Sequence, residues 1–244
     1  MRNDPGPAGQ RALVIGGTGG IGRAAAIRLA SMGAAVCVHG GSSRERLERT
    51  LAEIRSAGAV GEGFLCAIDQ AQQIVEPIRA RMPFSIVVVA FGPYLRASLA
   101  DTTVEDWRRM SELNLALPGA VISLCAPAMR EVGYGRFVLF GGPRTDGIEA
   151  FREIAAYAAA KTGLACLVRS AARQLNRYGI TVNAICPGYV ATEYYEAGQL
   201  EALVRRMPDG KLVQPEEVAR VVEMLVQPDS GAINGALIRL DKGL

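Results

Sequence analysis

Seven short apolar runs, separated by longer stretches of helical periodicity, shape this chain. The runs over 12–15, 36–39, 63–68, 86–90, 137–140, 181–185 and 236–240 are near-continuous in Val, Ile, Leu and Phe. Strands with this composition are buried on both faces. Between them, 21–32, 44–56, 70–81, 104–132, 155–178 and 215–226 read as helices. Gly33 and Gly179 fall just past two helix ends, where a left-handed cap is needed. Pro215 opens another helix, with Glu216 and Glu217 in its first turn. Pro118 and Pro127 are expected to bend or break the long fourth helix. Strand alternating with helix implies an α/β fold, a doubly wound parallel sheet of about seven strands with helices on both faces. No repeat or linker interrupts the pattern, so 11–244 reads as one domain.

Half of the 244 residues are apolar, enough for a sizeable core. The net charge of +3 is dispersed, and no basic run exceeds the pairs Arg108, Arg109 and Arg205, Arg206. That argues against a nucleic-acid partner. No apolar stretch reaches the ~18 residues of a membrane span, so no membrane is expected. Residues 1–10 are polar and rich in Gly and Pro, lack the apolar segment of a signal peptide, and read as a loose tail. Cys37, Cys66, Cys125, Cys166 and Cys186 sit singly inside apolar runs. This odd, scattered set suits free thiols in a reducing cytoplasm rather than disulfides or a metal site.

The first run leads straight into Gly16-Gly17-Thr18-Gly19-Gly20-Ile21-Gly22, after which a helix opens. Glycines here let a pyrophosphate approach the backbone, and the helix N-terminus supplies N–H donors and a favourable dipole. The strand–glycine–helix context separates a dinucleotide site from a plain glycine-rich turn. Gly16, Thr18, Gly20, Ile21 and Gly22 are therefore candidate cofactor contacts. The second strand ends in His39-Gly40-Gly41-Ser42-Ser43-Arg44, with no carboxylate before Glu45. An acidic residue there would bind a ribose 2′-hydroxyl and repel a 2′-phosphate. Two hydroxyls and a guanidinium suit a phosphate instead, so Ser42, Ser43 and Arg44 favour NADP(H) over NAD(H). Ser42 can also cap a helix opening at Ser43 or Arg44. His39, the single histidine, reads as a strand-end packing residue.

Tyr157 and Lys161 stand four apart in a chain with only three lysines. On a helix, positions i and i+4 share a face. An ammonium beside a phenol favours the phenolate and lowers its pKa. A phenol tuned in this way exchanges a proton with a carbonyl or alcohol oxygen. The pair alone is equally compatible with a packed tyrosine and a solvated lysine on an alanine-rich helix.

With the Gly16-x-x-x-Gly20-x-Gly22 spacing, the Tyr157–Lys161 pair makes the chain resemble the classical short-chain dehydrogenase/reductase family over nearly its whole length. The nearest branch is the 3-oxoacyl-acyl-carrier-protein reductases. Asp69 matches an acidic residue that the family places near adenine, and Asn114 matches its helix asparagine. Pro187, Gly188, Val190 and Thr192 match its nicotinamide-side loop. The segments 210–217 and 234–241 follow its C-terminal pattern. The resemblance implies a Rossmann-type fold and hydride transfer between a nicotinamide and a small carbonyl or alcohol, with a 3-oxoacyl thioester as the family's default substrate. It implies that Tyr157 is the general acid in reduction. Lys161 would lower its pKa and hold the nicotinamide ribose, and Asn114 would anchor a water linking Lys161 to solvent. Residues 191–207, with Tyr194 and Tyr195, would form a substrate lid. A homotetramer or homodimer is implied, with the fourth helix and the Tyr157 helix at one interface.

Three departures stand against this pattern. The family's Asn-Asn-Ala-Gly is here Val89-Ala90-Phe91-Gly92, so bracing hydrogen bonds must be lost or replaced, and Ala90, Phe91 and Gly92 are placed near the cofactor. Gly142 stands where the family carries its catalytic serine. Losing such a donor typically costs about 10²–10³ in rate. The loop from Gly142 to Tyr157 is about two residues longer than usual. It offers Thr145, or a backbone N–H of the glycine-rich turn, as a substitute donor; Thr145 is equally readable as an ordinary loop residue. The alternative to an enzyme is a catalytically impaired relative that serves as a dinucleotide-binding sensor or partner subunit.

Overall fold

A computed structural model describes residues 6–244. Seven strands, β1 (Arg11–Ile15), β2 (Ala35–Gly40), β3 (Gly61–Leu65), β4 (Ile86–Val89), β5 (Gly135–Phe140), β6 (Ile180–Pro187) and β7 (Leu237–Leu240), form one sheet. Their order is β3-β2-β1-β4-β5-β6-β7, and every pair is parallel. Among the described residues, eight α-helices complete the fold: α1 (Gly20–Ser31), α2 (Arg44–Ser56), α3 (Val75–Arg79), α4 (Val104–Ser111), α5 (Leu117–Val132), α6 (Ala155–Leu175), α7 (Ala197–Val204) and α8 (Pro215–Val226). Successive strand residues point to opposite faces, and β1 shows what that does. Leu13 and Ile15 enter a core with Leu117, Val121 and Leu164, while Ala12 and Val14 enter another with Leu29, Leu47 and Val222. This is a doubly wound Rossmann-type fold. The chain reverses direction across the sheet between β1 and β4, so a crevice opens at their carboxyl ends.

Four expectations are corrected here. β3 begins at Gly61, not 63, and ends at Leu65. α2 lies so close that a Cβ at Gly61 would come within 2.9 Å of Ile54 and one at Gly63 within 2.7 Å of Leu47. The glycines, which look like turn residues, are what the packing of α2 requires. The helix expected over 70–81 is a 3₁₀ turn, Ala71–Ile74, followed by the short α3. The N-terminal tail is tied down where it is described. Gly9 N–H donates to Gly33 O at 3.1 Å, and Gln10 accepts from Ala35 N–H at 2.9 Å. Residues 1–5 lie outside the described part.

The fourth correction concerns the long helix. Val104–Val132 runs without a break, but a π turn, Glu112–Ala116, separates α4 from α5. Pro118 has no N–H to offer the carbonyl four residues back, that of Asn114, so the regular ladder cannot pass this point. Pro127 is accommodated inside α5. By length and composition this helix could cross a bilayer. Its apolar side is already used, with Leu113, Leu117, Val121, Cys125 and Met129 all in the core.

Candidate active site

The glycine loop is shaped by close backbone approaches. Gly16 has φ +76°, and a Cβ on it would lie 2.5 Å from Ala90 O. A Cβ on Gly22 would lie 2.2 Å from Gly16 O. Neither position admits a side chain. Below the loop, Gly16 N–H donates to His39 Nδ1 at 3.2 Å, and His39 Nε2 lies 2.8 Å from Cys66 O. This fixes a neutral tautomer with the proton on Nε2. Burial lowers the His39 pKa, the Cys66 hydrogen bond opposing it. His39 is thus the brace of the loop, a role that strand-end packing does not capture. Thr18 lies against Gly40, and Ile21 packs on the core beneath α1.

Across the crevice, Ala90 N–H donates to Ile15 O at 2.9 Å, and Phe91 meets the His39 ring edge-on at 6.4 Å. Backbone pairing and aromatic packing hold this segment against β1 and β2. Ser43, not Ser42, caps α2 by accepting Arg46 N–H at 3.3 Å. Ser42 and Arg44 are exposed beside it. Asp69 is exposed past the end of β3, its N–H held by Gln73 Oε1 at 2.7 Å. Gly188 N–H donates to Leu240 O at 3.0 Å just beyond Pro187, and Val190 bridges to Val213. Thr192 touches the glycine loop, its Cγ2 3.1 Å from where a Gly20 Cβ would be.

α6 brings Tyr157 and Lys161 to the same crevice, both buried. Lys161 Nζ donates to Phe140 O at 2.7 Å and lies 5.9 Å from the Tyr157 ring centroid. The π turn adds Asn114, fully buried. Its Nδ2 donates to Pro93 O at 3.1 Å, while its Oδ1 has no protein partner among the described residues. A Cβ on Gly92 would lie 2.3 Å from Asn114 Oδ1 and 3.3 Å from Lys161 Nζ, so both groups crowd one point. The expected lowering of the phenol pKa is not what this arrangement produces. Burial holds the Tyr157 phenol well above the ordinary tyrosine value, and the phenols of Tyr94 and Tyr195 add to the shift. Burial also lowers Lys161 to about 8. Desolvation of both groups outweighs the ammonium.

Gly142 occupies the expected position beside the phenol. A Cβ there would lie 2.6 Å from Tyr157 Oη and 2.9 Å from its ring, so the tyrosine fills space that a side chain at 142 would need. Thr145 does not replace the serine. Fully buried, it accepts Gly142 N–H at 2.8 Å and donates to Gly142 O at 3.1 Å. This ties up the turn's N–H along with its own hydroxyl. The side chain that does face the phenol is Tyr94, edge-on at 5.1 Å between ring centroids. Its signal in the sequence was only its place, two residues past Gly92. The loop after β6 carries Glu193 onto the glycine loop, where Gly20 N–H reaches both carboxylate oxygens at 3.1 and 3.2 Å. That contact has no sequence signature.

The site can therefore hold an anion on the glycine loop and present a protonated phenol to an oxygen bound beside it. The backbone clearances, the anion already seated at the head of α1 and the orphaned Asn114 oxygen all fit a nicotinamide dinucleotide. Residues 16–244 match the family model described as enoyl-(acyl carrier protein) reductase. The (3R)-3-hydroxyacyl-CoA dehydrogenase of Mus musculus is 32% identical, covering 96% of this chain and 95% of its own. A 3-oxoacyl (acyl-carrier-protein) reductase from Agrobacterium tumefaciens C58, solved with NADP bound, superposes with a TM-score of 0.89 at 25% identity, covering 98% and 95% of the two chains. A variant of actinorhodin polyketide ketoreductase with NADPH gives a TM-score of 0.84 at 31% identity over 96% and 97%. The chain belongs to the classical short-chain dehydrogenase/reductase family, near the 3-oxoacyl-acyl-carrier-protein reductase branch.

Proposed function

We propose that the protein is an NADP(H)-preferring reductase of a small carbonyl compound, 3-oxoacyl thioesters being the substrate class its relatives' names suggest. The observation that carries this reading is the meeting of Tyr157, Lys161 and Asn114 beside the glycine loop. When bound, the nicotinamide supplies the hydride. Tyr157 supplies the proton, and its raised pKa keeps the phenol in the acid form that reduction needs. Lys161 and the partnerless Asn114 Oδ1 define the return path for that proton, through a water held between them. Ser42, Ser43 and Arg44, exposed at the end of β2, receive the 2′-phosphate that separates NADPH from NADH. Pro187, Gly188, Val190 and Thr192 fix the nicotinamide end. The exposed apolar side chains of Trp107 and Ile148, against α4 and α6, support the oligomer interface expected there.

A second reading, nucleotide binding without turnover, is favoured by Gly142, which offers the substrate oxygen no hydroxyl. One pair of experiments separates the two. Fluorescence titration with NADPH and NADH should show binding, tighter for NADPH. Tyr157→Phe should then lower kcat on a 3-oxoacyl thioester by about 10²–10⁴ while NADPH affinity stays the same. Binding without turnover of any carbonyl substrate by the unaltered protein would establish the second reading.

A further inference from the structure

The Glu193 carboxylate takes the N–H at the head of α1, a helix of 12 residues. That end of a helix attracts anions because its N–H groups lack intrahelical partners and the dipole favours negative charge. Tyr194 completes the cover. Its hydroxyl would lie 2.1 Å from a Cβ on Gly19, and its ring 3.1 Å from a Cβ on Gly20. The guanidinium of Arg46, from the first turn of α2, stands 5.5 Å from the Tyr194 ring centroid. Three elements thus meet on the loop proposed to hold a pyrophosphate: the loop itself, the segment after β6, and α2.

We propose that Glu193 and Tyr194 form a strap by which the chain occupies its own phosphate seat, so that a dinucleotide binds only by displacing it. The proposal rests on the reading of the glycine loop as a dinucleotide site. Gly20 has one N–H, and a carboxylate and a pyrophosphate cannot both take it. Two negative groups brought to the same helix end also repel. The strap is built to move locally. On one side it is pinned by the Val190–Val213 bridge, and on the other by the capping box of Glu196 and Gln199 that opens α7. Between these pins Tyr194 is 59% exposed and Tyr195 is 37% exposed. Displacement carries Tyr195 with it. Arg46, released from the Tyr194 ring, is left facing the incoming phosphates.

The apparent dissociation constant rises as the fraction of protein with an open seat falls. A strap closed about nine-tenths of the time weakens cofactor binding about tenfold. The test is NADPH titration of the unaltered protein and of Glu193→Gln, Tyr194→Ala and Glu201→Gln, with inorganic pyrophosphate as a second probe. Glu193→Gln and Tyr194→Ala should each bind NADPH and pyrophosphate about tenfold tighter, and Glu201→Gln, an exposed charge on α7, should not. Tyr194→Ala removes no charge, which separates release of the strap from loss of repulsion. Equal or weaker binding in both strap variants would overturn the strap and leave the cofactor reading standing. Tightening in Glu193→Gln matched by Glu201→Gln, with Tyr194→Ala unchanged, would reduce the effect to charge and overturn it too. Failure of all four proteins to bind NADPH or NADH would remove both the strap and the reading beneath it.

Discussion

The two sides of the crevice are held by different means. On the nucleotide side, position is set by backbone against backbone: Gly16 against Ala90, Gly22 against Gly16, and His39 between the loop and Cys66. On the catalytic side it is set by side chains filling one another's space: Tyr157 over Gly142, Thr145 under it, Tyr94 across it. Backbone contacts admit almost no substitution, because a new Cβ meets atoms that cannot rotate away. Side-chain contacts can be rebuilt, because a rotamer can give way where a backbone atom cannot, and the room beside Gly142 is filled by the buried Tyr157. The difference means that the catalytic floor should tolerate substitution better than the glycine loop.

Gly22→Ala tests the rigid side hardest. Its methyl would sit 2.2 Å from Gly16 O, with no flexible side chain to yield. Overpacking of this kind costs about 3 kcal/mol, read by urea denaturation, and NADPH binding should be lost with it. Ordinary stability together with ordinary binding would show that the loop has slack. Thr145→Val probes the other side. It leaves the Gly142 N–H buried without an acceptor, at a cost of about 1–3 kcal/mol. The loss should appear in Tm first, with turnover falling only as far as Gly142 and the phenol shift. A large fall in kcat at unchanged Tm would return Thr145 to the chemistry.

Gly142→Ala is the smaller, sharper test. The added methyl must displace the Tyr157 hydroxyl from 2.6 Å. A misplacement of that size should lower kcat about tenfold while NADPH affinity holds. Gly142→Ser adds the family's hydroxyl to the same crowding, so it should recover little. If it raised kcat instead, the phenol would have room, and the packing account of the catalytic floor would be wrong.

The fold was legible because strand runs and helix periods survive in sequence whatever their neighbours do. The seven strands and the helical stretches α1, α2, α4–α5, α6 and α8 follow from apolar pattern and capping residues alone. What escaped was set by tertiary contact. β3 starts on glycines because α2 presses on it, and no local pattern carries that information. α7 lies within 191–207, the segment expected to be a substrate lid, where no helix was expected. In the site, Tyr157, Lys161 and the glycine loop were marked by spacing, and Asn114 by the family resemblance. The pKa direction of the phenol was not, since spacing gives a neighbour's charge but not the burial that outweighs it. Thr145 had the right chemistry at a plausible distance along the chain, and only the structure shows its hydroxyl turned back on Gly142.

The last test returns to the rigid side and asks whether its brace titrates. His39 is the only histidine in the chain, so no other imidazole titrates between pH 5 and 7. Burial sets its folded pKa below the ordinary imidazole value of 6.5. A lowered folded pKa means that, between that value and 6.5, the unfolded chain binds more protons than the folded one. His39 therefore contributes fully above pH 6.5 and loses its contribution as the pH falls toward the folded value. The slope can reach about 1.4 kcal/mol per pH unit. Protonation would also take away the lone pair that accepts Gly16 N–H, loosening the loop at the moment stability falls. Thermal unfolding of the unaltered protein from pH 7 to 5 should show a declining Tm. His39→Gln, which cannot titrate, should show a flatter profile from a lower start. Parallel profiles would mean that the imidazole titrates alike in the folded and unfolded chain, with carboxylates elsewhere carrying the slope, and the brace would then be a matter of shape alone.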